Sequence, residues 1–344
     1  MGEAADLMSI TDIRQVLGEG AGGPPVPRWI ERRPNAVDRW VYRGGVRLVA
    51  LSTLLVLFLI GFFLFLKGIP AFRSQGLHFL TNTGFQTEPT KTGPPVFGIR
   101  SALTGTVVTS VFAMIIGVPV AMAAALFISE FAPARLKPLA TSLIDLLAAV
   151  PSVVYGLWGF IFLSPHMVGV AKWMSVHLSF IPFFHVSTPL FTSSQFIAGT
   201  ILGLMVVPII ASISREVFSL TPVAEREAAI ALGASRATVV RRVVLPFARG
   251  GVIGAIMLGL GRAMGEAIAV AIILSVSFTN PYHILQVGGT TIASLIAIRF
   301  GSGGQLGLAA LLAAGFSLFV FTLIVNTAAS FIVNRSRSAA AVEL

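Results

Sequence analysis

Six apolar runs divide the chain, at about 46–66, 101–129, 138–163, 193–213, 250–276 and 306–333. An α-helix needs about 20 residues to cross roughly 30 Å of hydrocarbon, so the pattern predicts six membrane-spanning helices. Residues 1–45 are polar, with acids and bases interleaved among Gly and Pro ("GEGAGGPPVPRWIERRPN"). They read as a flexible tail, with a short interfacial helix around Asp38–Arg47 that places Trp40 and Tyr42 at the headgroups. The first apolar run starts too late and is too long for a cleavable signal peptide. The transmembrane domain is expected over 46–335 and a short tail over 336–344. Two connecting loops are long, 67–100 ("TKTGPPVFG") and 164–192 ("PFFHVSTPLF"), and both carry turn signals and aromatics. Pro119, Pro151 and Pro208 fall inside spans, where each removes a backbone hydrogen bond and favours a kink. No internal repeat is recognisable.

Composition agrees with this pattern. Of 344 residues, 55% are hydrophobic and only 11% charged, with a mean hydropathy of +0.89. A soluble domain carries roughly 25% charged residues. The expected fold class is therefore an all-α integral membrane protein. The net charge of +10 is distributed by topology. The N-terminal tail, the 130–137 loop, the 214–249 loop and the C-terminus carry seven, two, six and two Lys and Arg. The other three loops carry four, one and one, with Arg262 left over. The positive-inside rule then places both termini in the cytoplasm, and no nucleic-acid partner is needed to explain the charge. The chain has no cysteine, which excludes disulfides, thiol catalysis and cysteine-ligated metals.

The 221–246 loop, "TPVAEREAAIALGASRATVVRRVVLP", predicts two short helices. Thr221 is expected to cap the first with Pro222 at its first position, and Glu225 and Glu227 lie near the positive end of its dipole. Gly233 stops it, Ser235 caps the second and Pro246 ends that one. The result is a compact cytoplasmic knob.

Two charges lie within an otherwise apolar span, in "GLGRAMGEAIAVAIIL" (259–274). A charge at bilayer depth costs roughly 2.5–3.5 kcal/mol on insertion scales. Arg262 and Glu266 are four apart, hence on one face of a continuous helix and able to pair. Gly250, Gly251, Gly254, Gly259, Gly261 and Gly265 permit close helix approach. Arginine presents a permanently charged planar fork suited to tetrahedral oxyanions, and Glu266 can hold that fork or accept an oxyanion's proton. An internal salt bridge that fixes packing is the alternative role. Asp145, near the end of its span in "TSLIDLLAAVPSVVYGLWGF", is read as a structural or gating hydrogen-bond acceptor.

Other chemistry is not indicated. None of Lys67, Lys91, Lys137 and Lys172 follows a glycine, so the chain has no phosphate-cradling G-x-x-x-x-G-K-[ST] loop. His78, His166, His177, His185 and His283 lie in loops without metal-ligand spacing, so no metal site is expected. No G-x-S-x-G elbow is present, and no catalytic residue is assigned.

The spacing Glu227-Ala228-Ala229, three residues, Gly233, nine residues, Val243, one residue, Leu245-Pro246 resembles the EAA loop of ABC importer permeases. The one departure is Val243 where isoleucine is usual. The resemblance implies a type I permease fold in which the two alanines let the helix lie in a cleft of an ATP-binding subunit. "AAVPSVVYGLWGF" (148–160), "GLGRAMGEAIAVAIIL" and "GTVVTSVFAMIIGVPVAMAAALFISEFAP" (105–133) resemble the PstC-type subunit of phosphate importers, over about 97–335. Ala267 departs from the threonine that the family usually has after Gly-Glu. What the resemblance implies is a non-enzymatic subunit in a bacterial inner membrane, paired with a PstA-like permease. Two PstB-like ATPases would bind the ATP and Mg, and a periplasmic or lipid-anchored PstS-like protein would deliver phosphate. Arg262 and Glu266 would line the pathway, with Tyr155 and Ser152 as further pathway positions and Asp145 and Pro151 as gating positions. Permeases for molybdate, sulfate or phosphonate, and an ATP-independent anion channel, are the alternatives.

Overall fold

The computed structural model describes residues 36–86, 96–186, 189–278, 282–301 and 304–340; the predicted tail before residue 36 lies outside them. Backbone contacts divide the chain into a unit ending at Ile60 and a larger one, Gly61–Leu344. The described part of the first unit is helical throughout and belongs to the helix Ala36–Gln75. Everything below concerns the larger unit.

Its centre is the helix Gln195–Ser219, whose side chains are mostly buried. It crosses the helix Arg100–Leu126 at a seam of small residues. A Cβ on Gly117 would sit 2.9 Å from the Gly203 carbonyl oxygen, and one on Gly203 would sit 3.0 Å from that of Ala113. Such backbone proximity is the usual basis of helix association in lipid, where apolar side chains alone give no preference for a neighbour. Phe112, Phe196, Ile201, Met205 and Ile210 fill the space around the seam.

A second cluster lies at the N-terminal end of Arg100–Leu126. Phe85 and Phe97 face each other across a two-residue antiparallel hairpin, with ring centroids 5.6 Å apart. They pack with Phe79, Ile99, Ile292 and Leu295 against Ala309, Ala310 and Ala313 of the last helix, Gln305–Ala340. The loop after residue 282 returns to the start of the central helix, where Phe196 N–H donates to the Ile284 oxygen at 2.9 Å. Gly288 (φ 98°) and Gly289 (φ 142°) turn it, in backbone that L side chains rarely adopt.

Six helices are long and apolar enough to cross a membrane: Gly44–Gln75, Arg100–Phe131, Ser152–His177, Gln195–Ser219, Arg236–Gly265 and Gln305–Phe331. Two of the predicted spans change. The run at 138–163 divides into Lys137–Ala149 and a separate helix from Ser152, because Val150 and Pro151 are both extended. Proline disfavours helical backbone in the residue before it, so the kink expected at Pro151 is a break. The run at 250–276 ends at Gly265 and begins earlier, at Arg236.

Pro246 does not end the second helix of the 221–246 loop. That helix continues through a π-turn, Val240–Val244, into Leu245–Gly265. The same device recurs at Gly159–Leu163 before Pro165, whereas the π-turn Phe127–Phe131 ends its helix, with Ala132 extended before Pro133. Each π-turn closes two residues before a proline. The proline ring would crowd the preceding α-turn and leaves a carbonyl without its donor. The wider i→i+5 turn accommodates both, as where Leu245 N–H reaches the Val240 oxygen.

Candidate functional site

Arg262 stands in the last turn of the helix Leu245–Gly265. The glycines of this helix serve two purposes. Gly251 and Gly259 abut the central helix, where an added Cβ would meet Val217 and Ile210 at 2.6 Å. Gly254, Gly261 and Gly265 have no heavy atom within 4 Å of an added Cβ. Gly254 and Gly261 line a cavity of about 590 Å³ with Arg262, Ile209, Met257, Leu258, Asn326 and Ser330. Its polar side chains are one guanidinium, one carboxamide and one hydroxyl, and the rest of the lining is apolar or glycine. The Ser330 hydroxyl donates to its own helix at the Asn326 carbonyl, 2.9 Å. Among the described residues, the Arg262 guanidinium forms no ion pair and no hydrogen bond.

Glu266 is elsewhere. The helix ends at Gly265, and Glu266 is extended (ψ 117°). Its carboxylate accepts from the Ala269 N–H at 3.2 Å, at the start of the short helix Ile268–Ile273. The expectation that Arg262 and Glu266 share one continuous helix face and pair is therefore corrected. Glycines at 261 and 265 weaken the helix, and the carboxylate meets an orphan amide of the next helix at its positive end. Glu266 does not line the Arg262 cavity.

Tyr155 lies within Coulombic range of Arg262, but its hydroxyl donates to the Leu147 carbonyl at 2.9 Å. That carbonyl is in the last turn of Lys137–Ala149, where the break at Val150–Pro151 leaves carbonyls without intrahelical donors. Tyr155 thus bridges the break. It also lines an apolar cavity of about 410 Å³ with Leu147, Val150, Val154, Trp158 and Pro208. Ser152 is half-buried in the first turn of its helix, next to Pro151. Gly156 brings that helix against Ile268–Ile273, since an added Cβ would lie 2.8 Å from the Ala269 Cα. The Ser152 and Glu266 segments are therefore neighbours.

Asp145 accepts a hydrogen bond from the Ser212 hydroxyl at 3.1 Å and lies 3.9 Å from Arg215 Nη2. Arg215 Nη1 also donates to Thr141 Oγ1 at 2.8 Å. Two side chains of the central helix, Ser212 and Arg215, thus hold Lys137–Ala149 below the break.

The knob is two helices, Val223–Ala231 and the one starting at Arg236, joined by Gly233 at φ +83°. Ser235 caps the second, accepting from the Thr238 N–H at 3.3 Å. Thr221 does not cap the first. Pro222 occupies the cap position, so the helix begins one residue later, and the Thr221 hydroxyl is buried without a partner among the described residues. Glu227, Ala228 and Gly233 are exposed, as is Pro246, while Ala229 and Leu245 are half-buried. Val223, Ile230 and Leu232 add exposed apolar surface to the knob.

Sequence reasoning missed four residues. Asn326 and Ser330 are polar and one helical turn apart in an apolar span, a signal that was readable. Arg226 and Glu130 form an ion pair at 3.0 Å across 96 positions of sequence, and nothing local points to it.

Comparison with known proteins agrees with these features. The sequence profile of the family described as "Binding-protein-dependent transport system inner membrane component" matches residues 117–338. The chain is 40% identical over 304 residues to "Phosphate transport system permease protein PstC 2" of Mycobacterium tuberculosis, covering 86% of this chain and 93% of that protein. It is 42% identical over 270 residues to "Phosphate transport system permease protein PstC" of Mycobacterium leprae, covering 78% and 84%. The fold resembles the crystal structure of a bacterial ABC transporter involved in the import of the acidic polysaccharide alginate, with a TM-score of 0.56 at 19% identity over 86% of this chain and 98% of that one. With its six apolar helices and its knob, the chain belongs to the inner-membrane components of binding-protein-dependent transport systems, with PstC-type permeases as its relatives.

Proposed function

We propose that this chain is the PstC-like half of an ATP-driven importer of inorganic phosphate, with Arg262 as an oxyanion contact in its pathway. The carrying observation is an unpaired guanidinium in the wall of a 590 Å³ cavity between membrane helices. An arginine held there without a counter-charge is costly, and a transient anion supplies the missing partner. The guanidinium fork offers parallel N–H donors to two oxygens of a tetrahedral oxyanion, while Asn326 and Ser330 add neutral polar groups opposite. The apolar remainder of the wall gives a desolvated ion little else to bind, which favours passage over retention. The phosphate-permease names of the relatives support the same cargo.

The chain has no phosphate-cradling loop, so ATP and Mg belong to two copies of a separate PstB-like ATPase. The exposed face around Glu227, Ala228 and Ile230 is its docking surface, with Gly233 as the elbow and Leu245-Pro246 leading into the arginine helix. A PstA-like permease completes the pathway, and a PstS-like binding protein delivers phosphate from the opposite side. The charge asymmetry of the loops supports a bacterial inner-membrane location with both termini cytoplasmic. Glu266 orients the segment after Arg262 by capping its helix. Asp145 and Pro151 belong to a hinged half-helix at the inner end.

The test is uptake of labelled phosphate by the assembled complex in proteoliposomes, with unlabelled phosphate, sulfate and molybdate as competitors. Phosphate alone is expected to compete strongly. Equal competition by sulfate or molybdate removes the phosphate assignment, and uptake without ATP removes the coupled mechanism.

A further inference from the structure

We infer that Arg226 is a positioning residue for energy coupling, clamping the Val223–Ala231 helix to the ends of two spans so that all three move together. This rests on the proposed function in taking that helix as the receiver of the ATPase stroke.

Arg226 Nη1 lies 3.0 Å from Glu130 Oε1 and 3.1 Å from Oε2. Its Nη2 donates to the Phe218 carbonyl. Glu130 belongs to the π-turn that closes the second span, and Phe218 to the last turn of the central helix. The two charged side chains retain only 22% and 12% of their exposure. A planar guanidinium is the side chain suited to this junction. One edge faces a carboxylate and the other a helix C-terminus, where carbonyls carry partial negative charge.

The covalent connections cannot do the same work. On one side of the Val223–Ala231 helix the chain turns at Leu220–Pro222, and on the other at Gly233, whose φ of +83° marks a tight elbow. Neither leads to the second span. Arg226 reaches it across 96 residues of sequence, while its neighbours Glu225 and Glu227 stay exposed. The helix thus has an outward face for docking and an inward arginine for transmission. With the charge on Glu130 removed, the helix can move while the second span stays behind.

Two measurements on the full complex in proteoliposomes test this, with loaded binding protein supplied. The first is ATP hydrolysed per phosphate imported. Glu130→Gln is expected to assemble and hydrolyse ATP, but to raise that ratio about tenfold, within the usual range of coupling between sites. Glu130→Asp, which restores the charge, is expected to return most of the coupling. An unchanged ratio in Glu130→Gln overturns the inference, as does an equal loss of hydrolysis and uptake, the signature of a merely structural pair. The second measurement uses the absence of cysteine. Spin labels on Ala134→Cys and Ala224→Cys report the distance between the second span's end and the docking helix. That distance is expected to stay fixed between nucleotide-free and ATP-bound states with Glu130 present, and to change with Glu130→Gln. A distance that changes with Glu130 present removes the clamp whatever the cargo is. Failure of the unsubstituted complex to import phosphate, with the distance fixed, counts against the proposed cargo alone.

Discussion

Two arginines of the same chemical type sit in opposite circumstances. Arg226 has a carboxylate on one edge and a helix-terminal carbonyl on the other. Arg262 faces a cavity and has neither. Arg226 is mostly buried, whereas Arg262 is exposed on the cavity wall, and the two differ further in what completes each one. Arg226 is completed by the protein, as the inferred joint requires. Arg262 has no such partner among the described residues, which is the condition the proposed transport contact requires, since a permanent partner would compete with the cargo. Glu266, four residues away, would be that competitor on a continuous helix. The break after Gly265 instead directs its carboxylate to the Ala269 amide.

The contrast can be broken most directly at Arg262. Arg262→Gln is expected to lower phosphate uptake by about 100-fold or more, the scale of losing two charge-assisted hydrogen bonds, with assembly and basal ATP hydrolysis retained. Arg262→Lys keeps the charge without the fork and should fall in between. Loss of assembly in place of uptake would make Arg262 a structural residue and not a cargo contact.

Next comes Arg226→Ala. Removing one partner of a mostly buried pair leaves Glu130 uncompensated, and about 3 kcal/mol of stability should be lost, visible as a lower Tm in detergent. A Tm equal to that of the unsubstituted protein would mean that the pair is solvated and carries no load.

A smaller effect is expected from Gly156→Val. An added Cβ would meet the Ala269 backbone at 2.8 Å, which cannot rotate away as a side chain can. Overpacking of this kind costs about 1–3 kcal/mol and displaces the segment after Glu266. Uptake should fall in step with Tm; an unchanged Tm would show that the two helices separate freely.

The smallest belongs to Tyr155→Phe. Its hydroxyl donates to Leu147, and losing that bond is worth about 1 kcal/mol with uptake preserved. A collapse of uptake comparable to Arg262→Gln would move Tyr155 from the joint class to the cargo class.

What could be read in the sequence was whatever depends on near neighbours. The spans follow from run length, because a bilayer imposes it on any helix. The Gly233 elbow and the Ser235 cap follow from turn chemistry within four residues. Pro151 was legible as a disturbance, but the sequence alone did not separate a kink from a break. Arg262 and Glu266 stood out because charges among apolar residues are rare at that depth.

Tertiary structure decided everything that needed a distant partner. The Tyr155 hydroxyl finds Leu147 only because the chain folds back across Pro151. Arg226 finds Glu130 across 96 residues, and Asn326 and Ser330 join Arg262 only because the last helix lies beside the fifth span. The sequence by itself determined that an arginine within an apolar span and a two-helix knob exist, since local hydrophobicity and backbone preference are properties of short segments. Which arginine is paired and which is left open is a matter of three-dimensional proximity, and only the packed helices settle it.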